Sequence, residues 1–484
     1  MNIGLLGHVD AGKTTLSKAL STIASTASFD KGAKASNLRA NTIDLGFSAI
    51  ELDSSHRIAL IDCPGHAQLI KAVLAASSVF DGAIIVINAS RGIEPQTAEH
   101  LISASILCPN NVIIVISKID LVEKEKIEMM KKKLPKLLKS LNIPESSPIV
   151  PLNLSNSSSE SVIELTNVLK QKFYLPERIS SGSFVMVVDH CFPIKGKGTV
   201  MTGTVVDGSC KIGTEVFIPM INETRKIKEI QSWKQKVQDA TMGQRAALLF
   251  SNLPETEDID RTIIFSPGSL TKAKHLLITV SKIEQFKYDL KSASKIHVSI
   301  GFETLMAECN FLKECGEKEF EQEDGLNSPG VSHALLELQK PIFVKGNDIC
   351  LAAKLDSQKP TECRFAFYGR ISKNLNSAEE IKRFRRKQRE GYIDRIEADN
   401  ISLICVGLFK KETNLQIFNG MSVRIGEKDV GKVENAFGKS GKVRISVLNG
   451  ISEDTKIAVK NGEKVKVLLK MKKFIGSNKV VEDV

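Results

Sequence analysis

Residues Gly7 to Thr14 read Gly-His-Val-Asp-Ala-Gly-Lys-Thr, a complete GxxxxGK[ST] phosphate loop between the apolar run Ile3–Leu6 and a stretch compatible with a helix. Loop glycines let backbone N–H groups turn toward β- and γ-phosphates, a lysine adds a point charge, and the following hydroxyl can ligate magnesium. Gly7, Asp10, Ala11, Gly12, Lys13, Thr14 and Thr15 are therefore expected to hold a nucleoside triphosphate. A second signal, Asp62-Cys63-Pro64-Gly65-His66, follows the apolar run Ile58–Ile61. It puts the Asp62 carboxylate at a strand end, where it serves the metal with Thr14, and adds Gly65 to the nucleotide site.

A third apolar run, Val112–Ile116, ends in Ser117-Lys118-Ile119-Asp120. Asp120 can accept from both the ring and exocyclic N–H of guanine, a pair that adenine does not offer, and Lys118 can cover the base plane. The nucleotide is therefore expected to be GTP. Ser117 stands where the usual Asn-Lys-x-Asp pattern has the asparagine that ties this loop to the phosphate loop. That change is expected to lower affinity while leaving base specificity with Asp120.

These motifs need a scaffold that brings strand ends together. From Met1 to about Leu175 short apolar runs alternate with helix-period segments, among them Gln96–Leu107, Lys124–Leu141 and Val162–Phe173, which reads as a doubly wound α/β domain over 1–178. The Lys131–Lys133 run belongs to a solvated helix face. After Pro176 the pattern turns to period-two alternation broken by glycine, as in Gly198-Thr199-Val200-Met201-Thr202-Gly203. This predicts two β-barrels over 182–260 and 262–372. A polar, acidic segment from Cys315 to Ser332 reads as a mobile loop. A basic stretch, Lys382–Arg389, marks another boundary, and strands resume to about Met471 in a fourth, β-rich domain over 373–484.

The whole chain has 484 residues, 42% hydrophobic and 25% charged, the balance of a multidomain globular protein. It lacks an eighteen-residue apolar run able to span a bilayer, and with its first strand starting at Asn2 no secretory signal is expected. Nine scattered cysteines without a CxxC pair read as buried thiols in a reducing cytosol rather than disulfides or a zinc site. The formal charge is +11, and about nine of those charges fall after residue 370. That local excess points to a polyanionic partner for the C-terminal third.

The phosphate loop, Asp-Cys-Pro-Gly-His and the barrel signature Gly198-Thr199-Val200 with Gly203 resemble the translational GTPases of the elongation factor Tu class. The resemblance implies that His66 positions the attacking water, that Val9 forms part of an apolar gate beside it, and that Asp10 stabilises transition-state charge, with room for a monovalent cation at the phosphate loop. It also implies that Thr42, in Arg39-Ala40-Asn41-Thr42 where the family has Arg-Gly-x-Thr, reads the γ-phosphate and magnesium. Within that class, Thr42–Ser48, Val188–Gly196, Phe409–Asn414 and Ala436–Lys442 resemble the selenocysteine-specific elongation factors of eukaryotic and archaeal type. Asp189, His190 and Arg245 then correspond to an aminoacyl pocket. A selenol is more acidic than a thiol, so a cationic pocket can separate selenolate from neutral serine. His190 and Arg245 are expected to hold the selenolate and Asp189 to orient them.

The same resemblance implies a cytoplasmic, monomeric carrier of selenocysteinyl-tRNA that uses GTP/GDP and Mg2+. It meets the ribosome and, through its fourth domain, the selenocysteine-insertion mRNA hairpin or the hairpin's binding protein. Lys382, Arg383, Arg385, Arg386, Lys387, Arg389, Lys410, Lys411, Lys439 and Lys442 are the expected phosphate contacts. Two other readings compete. A general or initiator tRNA carrier should lack both the Asp-His-Arg set and the fourth domain. A poorly hydrolysing GTP-binding scaffold would explain Ser117 and Ala40, but Lys13, Thr14, Thr42, Asp62 and His66 argue against it.

Overall fold

The computed structural model describes residues 1–21, 23–24, 46–51, 57–65, 74, 79–154, 160–172, 178, 182–251, 253, 262–316, 319–356, 362–438, 441–477 and 479–483. The chain divides into two compact units. One comprises Met1–Tyr288, Lys295–Cys309 and Leu336–Leu375, and the other Asp289–Ser294, Asn310–Leu335 and Asn376–Val484.

The first unit begins with a seven-stranded sheet in the order 23–24, 46–51, 57–62, 2–6, 82–88, 112–117 and 149–152. The strands from 57–62 to 149–152 run parallel. Parallel strands covered on both faces need continuous apolar runs, which is why Ala83–Ile87 and Val112–Ile116 are wholly buried. Among the described residues the domain also contains helices Lys13–Leu20, Pro95–Leu107, Lys124–Ser140 and Glu160–Lys172. The doubly wound α/β expectation holds, and the phosphate loop, Asp62 and Ser117 all sit at carboxyl ends of strands, where such sheets bind ligands.

A barrel sheet follows in the order 223–226, 215–218, 262–265, 185–194, 198–207, 245–250, 229–232 and 235–237. Gly203 is required because a Cβ there would lie 2.0 Å from the Val187 carbonyl oxygen. Thr262–Phe265 pairs with Val185–Val188, so this strand completes the first barrel, which extends past the expected limit at residue 260. Sequence alternation alone does not say to which barrel such a strand belongs. Strand Thr271–Thr279 then pairs with Phe365–Leu375, and Ile349–Ala353 pairs with both Phe365–Leu375 and Ser294–Ile300. The core of the α/β domain continues into Ile283, Leu351, Ala353 and Phe365 of this second barrel. Beside that junction Arg364 donates two hydrogen bonds to the Glu99 carboxylate, at 2.6 and 2.5 Å, with both side chains nearly buried.

In the second unit, Lys382–Ile396 forms one long strand paired with Ser402–Val406 and Lys466–Phe474. Its core includes Leu403, Cys405, Phe418, Val443 and Val467. The helix Glu453–Lys460 is capped by Ser452, whose Oγ accepts from the Thr455 N–H. The expected loop at Cys315–Ser332 is instead partly a strand. Glu319–Gln322 pairs antiparallel with Leu312–Glu314 and parallel with Lys382–Phe384, burying Phe320, while Leu326 also joins the interior. Glu321 pairs with Arg386 of the neighbouring strand, so polarity in this segment serves pairing between strands.

All nine cysteines are free, and burial raises the thiol pKa of seven of them well above the ordinary value. No described helix is long and apolar enough to cross a membrane. Removing one partner of a buried ion pair strands the other charge. Glu99→Ala or Arg364→Ala should therefore cost about 3–5 kcal/mol of stability in denaturant titrations. The double variant Glu99→Leu/Arg364→Met should lose much less than the sum.

Candidate functional site

The phosphate loop leaves strand Asn2–Leu6 with Gly7 at φ 141°, Asp10 at 59° and Gly12 at 98°. Lys13 begins the following helix and is buried, and its Nζ donates to the carbonyls of Gly7 at 3.0 Å and His8 at 2.7 Å. Burial lowers the lysine pKa, and the nearby Asp62 carboxylate opposes that shift. Thr14 Oγ1 donates to Asp62 Oδ2 at 2.7 Å, while Asp62 Oδ1 is buried with no hydrogen-bond partner among the described residues. Burial raises the Asp62 pKa. An orphaned carboxylate oxygen beside a hydroxyl suits magnesium, which takes few protein ligands and completes its shell with phosphate and water. Thr14 and Asp62 would hold it, and when bound it would neutralise charge developing on the phosphates.

Gly65 brings the Asp62 segment against the loop, since a Cβ there would lie 2.5 Å from Lys13 Nζ and 2.7 Å from the Val9 nitrogen. Ala11 is buried, Thr15 and Asp10 are exposed, and Val9 is half-buried. Ser117 differs from expectation in an informative way. Its Oγ donates to the Ala11 carbonyl at 2.6 Å, so a hydroxyl supplies the tie to the phosphate loop that the asparagine was expected to make. Lys118 adopts φ 55° at the start of the short helix Ile119–Leu121, leaving Asp120 exposed. His66 and Thr42 lie outside the described residues.

Two further residues brace the loop, and motif reading missed both. Gly7 N–H donates to His100 Nδ1 at 2.9 Å, and His8 N–H donates to Thr97 Oγ1 at 3.2 Å. Thr97 and His100 are one turn apart on helix Pro95–Leu107, and both are buried. Burial pushes the His100 pKa down to about 3. The ring is therefore neutral, with Nδ1 as acceptor and the proton on Nε2. Polar residues at this spacing on an otherwise apolar helix were the available signal.

On the barrel, the ladder between Val185–Ile194 and Gly198–Asp207 shifts register between Val188 and His190. The extra residue is Asp189. A bulge interrupts the strict alternation of faces and can re-aim a side chain. Asp189 Oδ2 meets Arg245 NH2 at 2.7 Å, its Oδ1 accepts from Thr202 Oγ1 at 2.7 Å, and both charged side chains are 8% exposed. Arg245 NH1 also reaches Thr204 Oγ1 at 3.4 Å. His190 follows on the same strand, half-buried and opposite Thr202. The guanidinium carbon lies 3.5 Å from the ring centroid of Phe47, a residue of strand Gly46–Glu51 in the α/β domain. Phe47 went unrecognised because an aromatic residue in an apolar strand reads as core.

The basic residues of the second unit divide sharply. Arg383 donates to Gln322 at 3.4 Å, and Arg386 pairs with Glu321 and Asp483. Lys442 pairs with Asp394 at 2.7 Å, and Arg389 lies over the rings of Phe409 and Phe418. Arg385 and Lys387 are exposed, and with Lys473 and the turn at 475–477 they line a groove of about 690 Å³. Lys382, Lys410 and Lys411 are exposed, and Lys439 lies outside the described residues.

Because His100 is neutral when buried but titrates near 6.5 when exposed, it contributes stability that is fully present above pH 6.5 and is lost as pH falls toward 3. Relative to His100→Asn, the unmodified protein should lose about 1.5 kcal/mol of stability between pH 6.5 and 5, measured by denaturant titration at each pH. Parallel curves would assign the histidine no such role.

Similarity to known proteins agrees with this geometry. Residues 1–287 match the elongation factor Tu GTP binding domain, residues 277–329 the third domain of eukaryotic selenocysteine-specific elongation factor, and residues 379–480 the eEFSec C-terminal RIFT domain. The selenocysteine-specific elongation factor of Mus musculus is 32% identical, covering 94% of this chain and 89% of its own length. That of Methanocaldococcus jannaschii is 33% identical, covering 96% and 98%. The crystal structure of translation elongation factor SelB from Methanococcus maripaludis with the GTP analogue GppNHp superposes with a TM-score of 0.77 at 29% identity, over 98% of both chains. With the phosphate loop, the Thr14–Asp62 pair and the barrels all in place, the chain is a translational GTPase and belongs to the selenocysteine-specific elongation factor family.

Proposed function

We propose that this GTPase carries selenocysteinyl-tRNA to the ribosomal A site at recoded UGA codons and hydrolyses GTP when the ribosome triggers it. The observation that carries the reading is the buried Asp189–Arg245 pair on the barrel wall, with His190 beside it and Phe47 over the guanidinium. An arginine has five N–H donors, and the partners described here engage those of its NH1 and NH2 only in part. Its remaining edge and His190 suit an anion. A selenolate entering there gains charge-assisted hydrogen bonds that a neutral serine hydroxyl cannot match, and polar partners left unpaired reject an analogue by about 10⁴.

In the nucleotide site, Lys13 and the loop amides bind and orient the triphosphate, Asp120 reads guanine, and Thr14 with Asp62 positions the metal. His66 orients the attacking water, Val9 screens it, and Asp10 stabilises charge with a monovalent cation. Thr42 reports the γ-phosphate. Because Phe47 lies five residues after Thr42, the switch segment and the aminoacyl pocket share one stretch of chain, which supports coupling between GTP and cargo.

The second unit is read as the contact with recoding RNA. Arg385 and Lys473 stand directly opposite each other across an antiparallel ladder, and like charges so placed are unfavourable unless an anion lies between them. Arg385, Lys387 and Lys473 are the preferred phosphate contacts. Arg383, Arg386, Arg389 and Lys442 have partners within the chain and serve mainly to shape the surface. Nine free thiols suit a monomeric factor of the reducing cytoplasm.

Affinities of the GTP-loaded protein for one tRNA charged with selenocysteine or with serine test the carrier reading. A preference of several orders of magnitude is expected, and equal affinities would demote the protein to a general carrier. Arg245→Ala or Phe47→Ala should erode that preference by at least tenfold while GTP affinity stays unchanged. Replacing Arg385, Lys387 and Lys473 with alanine should reduce the slope of log affinity for recoding RNA against log salt by about two to three.

A further inference from the structure

The single tryptophan of the chain, Trp233, stands at the tip of the hairpin joining Glu229–Ser232 to Gln235–Val237. Ser232 pairs with Gln235, so the connection consists of Trp233 and Lys234 alone. Both have positive φ, 50° and 67°. A two-residue hairpin of this hand ordinarily takes asparagine and glycine, and a bulky side chain is disfavoured in that region of φ. Trp233 gains no core position in return. Ile230 and Val237 of the same hairpin pack on the barrel interior, whereas Trp233 is half-buried outside that core and Lys234 is exposed. Strained residues of this kind collect where a chain meets its ligand.

The hairpin lies beside the aminoacyl pocket. Glu229 pairs with Leu249 and Gln231 with Ala247, and the same register continued by two residues brings Trp233 alongside Arg245. Ser232 Oγ donates to the Arg245 carbonyl at 2.9 Å, which fixes the start of the turn to the pocket strand. Ala246 and Leu248 face the barrel core. Arg245 and Ala247 alternate with them and so face outward with Gln231.

This inference rests on the carrier reading above. If Arg245 receives the aminoacyl group, the ester on the terminal ribose sits at the pocket mouth, and the last nucleotides of the tRNA lie within one or two residues of it. Those nucleotides are unpaired, and proteins bind unpaired bases by stacking them on aromatic faces and meeting their phosphates with cations. We propose that Trp233 is the stacking platform for the 3′-terminal bases of the carried tRNA and that Lys234 contacts their phosphates, holding the ester over Arg245.

Since Trp233 is the sole tryptophan, its emission reports the contact without a label. The GTP-loaded full chain is titrated with selenocysteinyl-tRNA, and complex formation is followed separately by protection of the aminoacyl ester from hydrolysis. Emission should fall in step with protection. Trp233→Ala should weaken binding by roughly 10- to 100-fold, and Trp233→Phe should keep most of the affinity. Trp233→Gly relieves the turn, so it should melt no lower than the unmodified protein yet bind as weakly as the alanine variant. Ester protection with unchanged emission, or alanine and glycine variants that bind normally, would overturn the platform while leaving the carrier reading intact. If neither selenocysteinyl- nor seryl-tRNA is protected, the carrier reading falls and the platform with it.

Discussion

A buried ammonium group governs the first unit. Lys13 lies under the strand ends with two loop carbonyls as its hydrogen-bond partners. Burial disfavours its charge, so the surroundings must supply negative potential, here from carbonyl dipoles and from Asp62. A triphosphate is a far stronger counter-charge than either. Glycine at 65 follows from the same requirement, because a Cβ there would lie 2.5 Å from the lysine Nζ, while a side chain at 7 would collide with the Val86 carbonyl. The neutral His100 is a further consequence. A second cation so near Lys13 would repel it, and the imidazole instead accepts the Gly7 N–H that orients the loop.

The barrel handles charge by a different route. Asp189 and Arg245 are almost fully removed from water, and each alone would be costly there. Paired, hydrogen-bonded to Thr202 and Thr204 and stacked on Phe47, they form a polarised wall with little net charge. Such a wall need not repel a neutral ligand, but it offers an anion unused donors. Specificity then depends on where the donors point, and the bulge at Asp189 sets that direction. The arrangement also explains why one aromatic residue of the α/β domain belongs to a barrel site.

In the second unit the excess of lysine and arginine resolves into cations that hold the domain together and cations without an ion-pair partner among the described residues. Glu321 and Asp483 neutralise Arg386, and two phenylalanines shield Arg389. Lysine and arginine stems also cover apolar surface, so a basic strand can carry both structural and binding duties. Local partners decide which residue does which, and Arg385 and Lys387, two positions apart on the strand, line the groove together.

The nucleotide chemistry was legible in short motifs of the chain. Phosphate loops, strand-end carboxylates and base-reading segments act through short runs of backbone, so spacing along the chain is nearly the geometry. The α/β alternation, the change to barrels after Pro176 and the local basic excess were legible for the same reason. What depends on long-range contact emerges only when the chain is folded. The Ser117 hydroxyl replaces an amide because strand ends bring it to Ala11, and Thr262–Phe265 joins the earlier barrel through ladder hydrogen bonds that alternation cannot assign. The polar segment at 319–322 is a strand because ladders to 312–314 and 382–384 bury Phe320, contacts that its composition does not reveal. Phe47 reached Arg245, and His100 reached Gly7, across 198 and 93 residues of chain. Such pairs leave no periodic trace, since the free energy that selects them arises only when two distant surfaces are desolvated together.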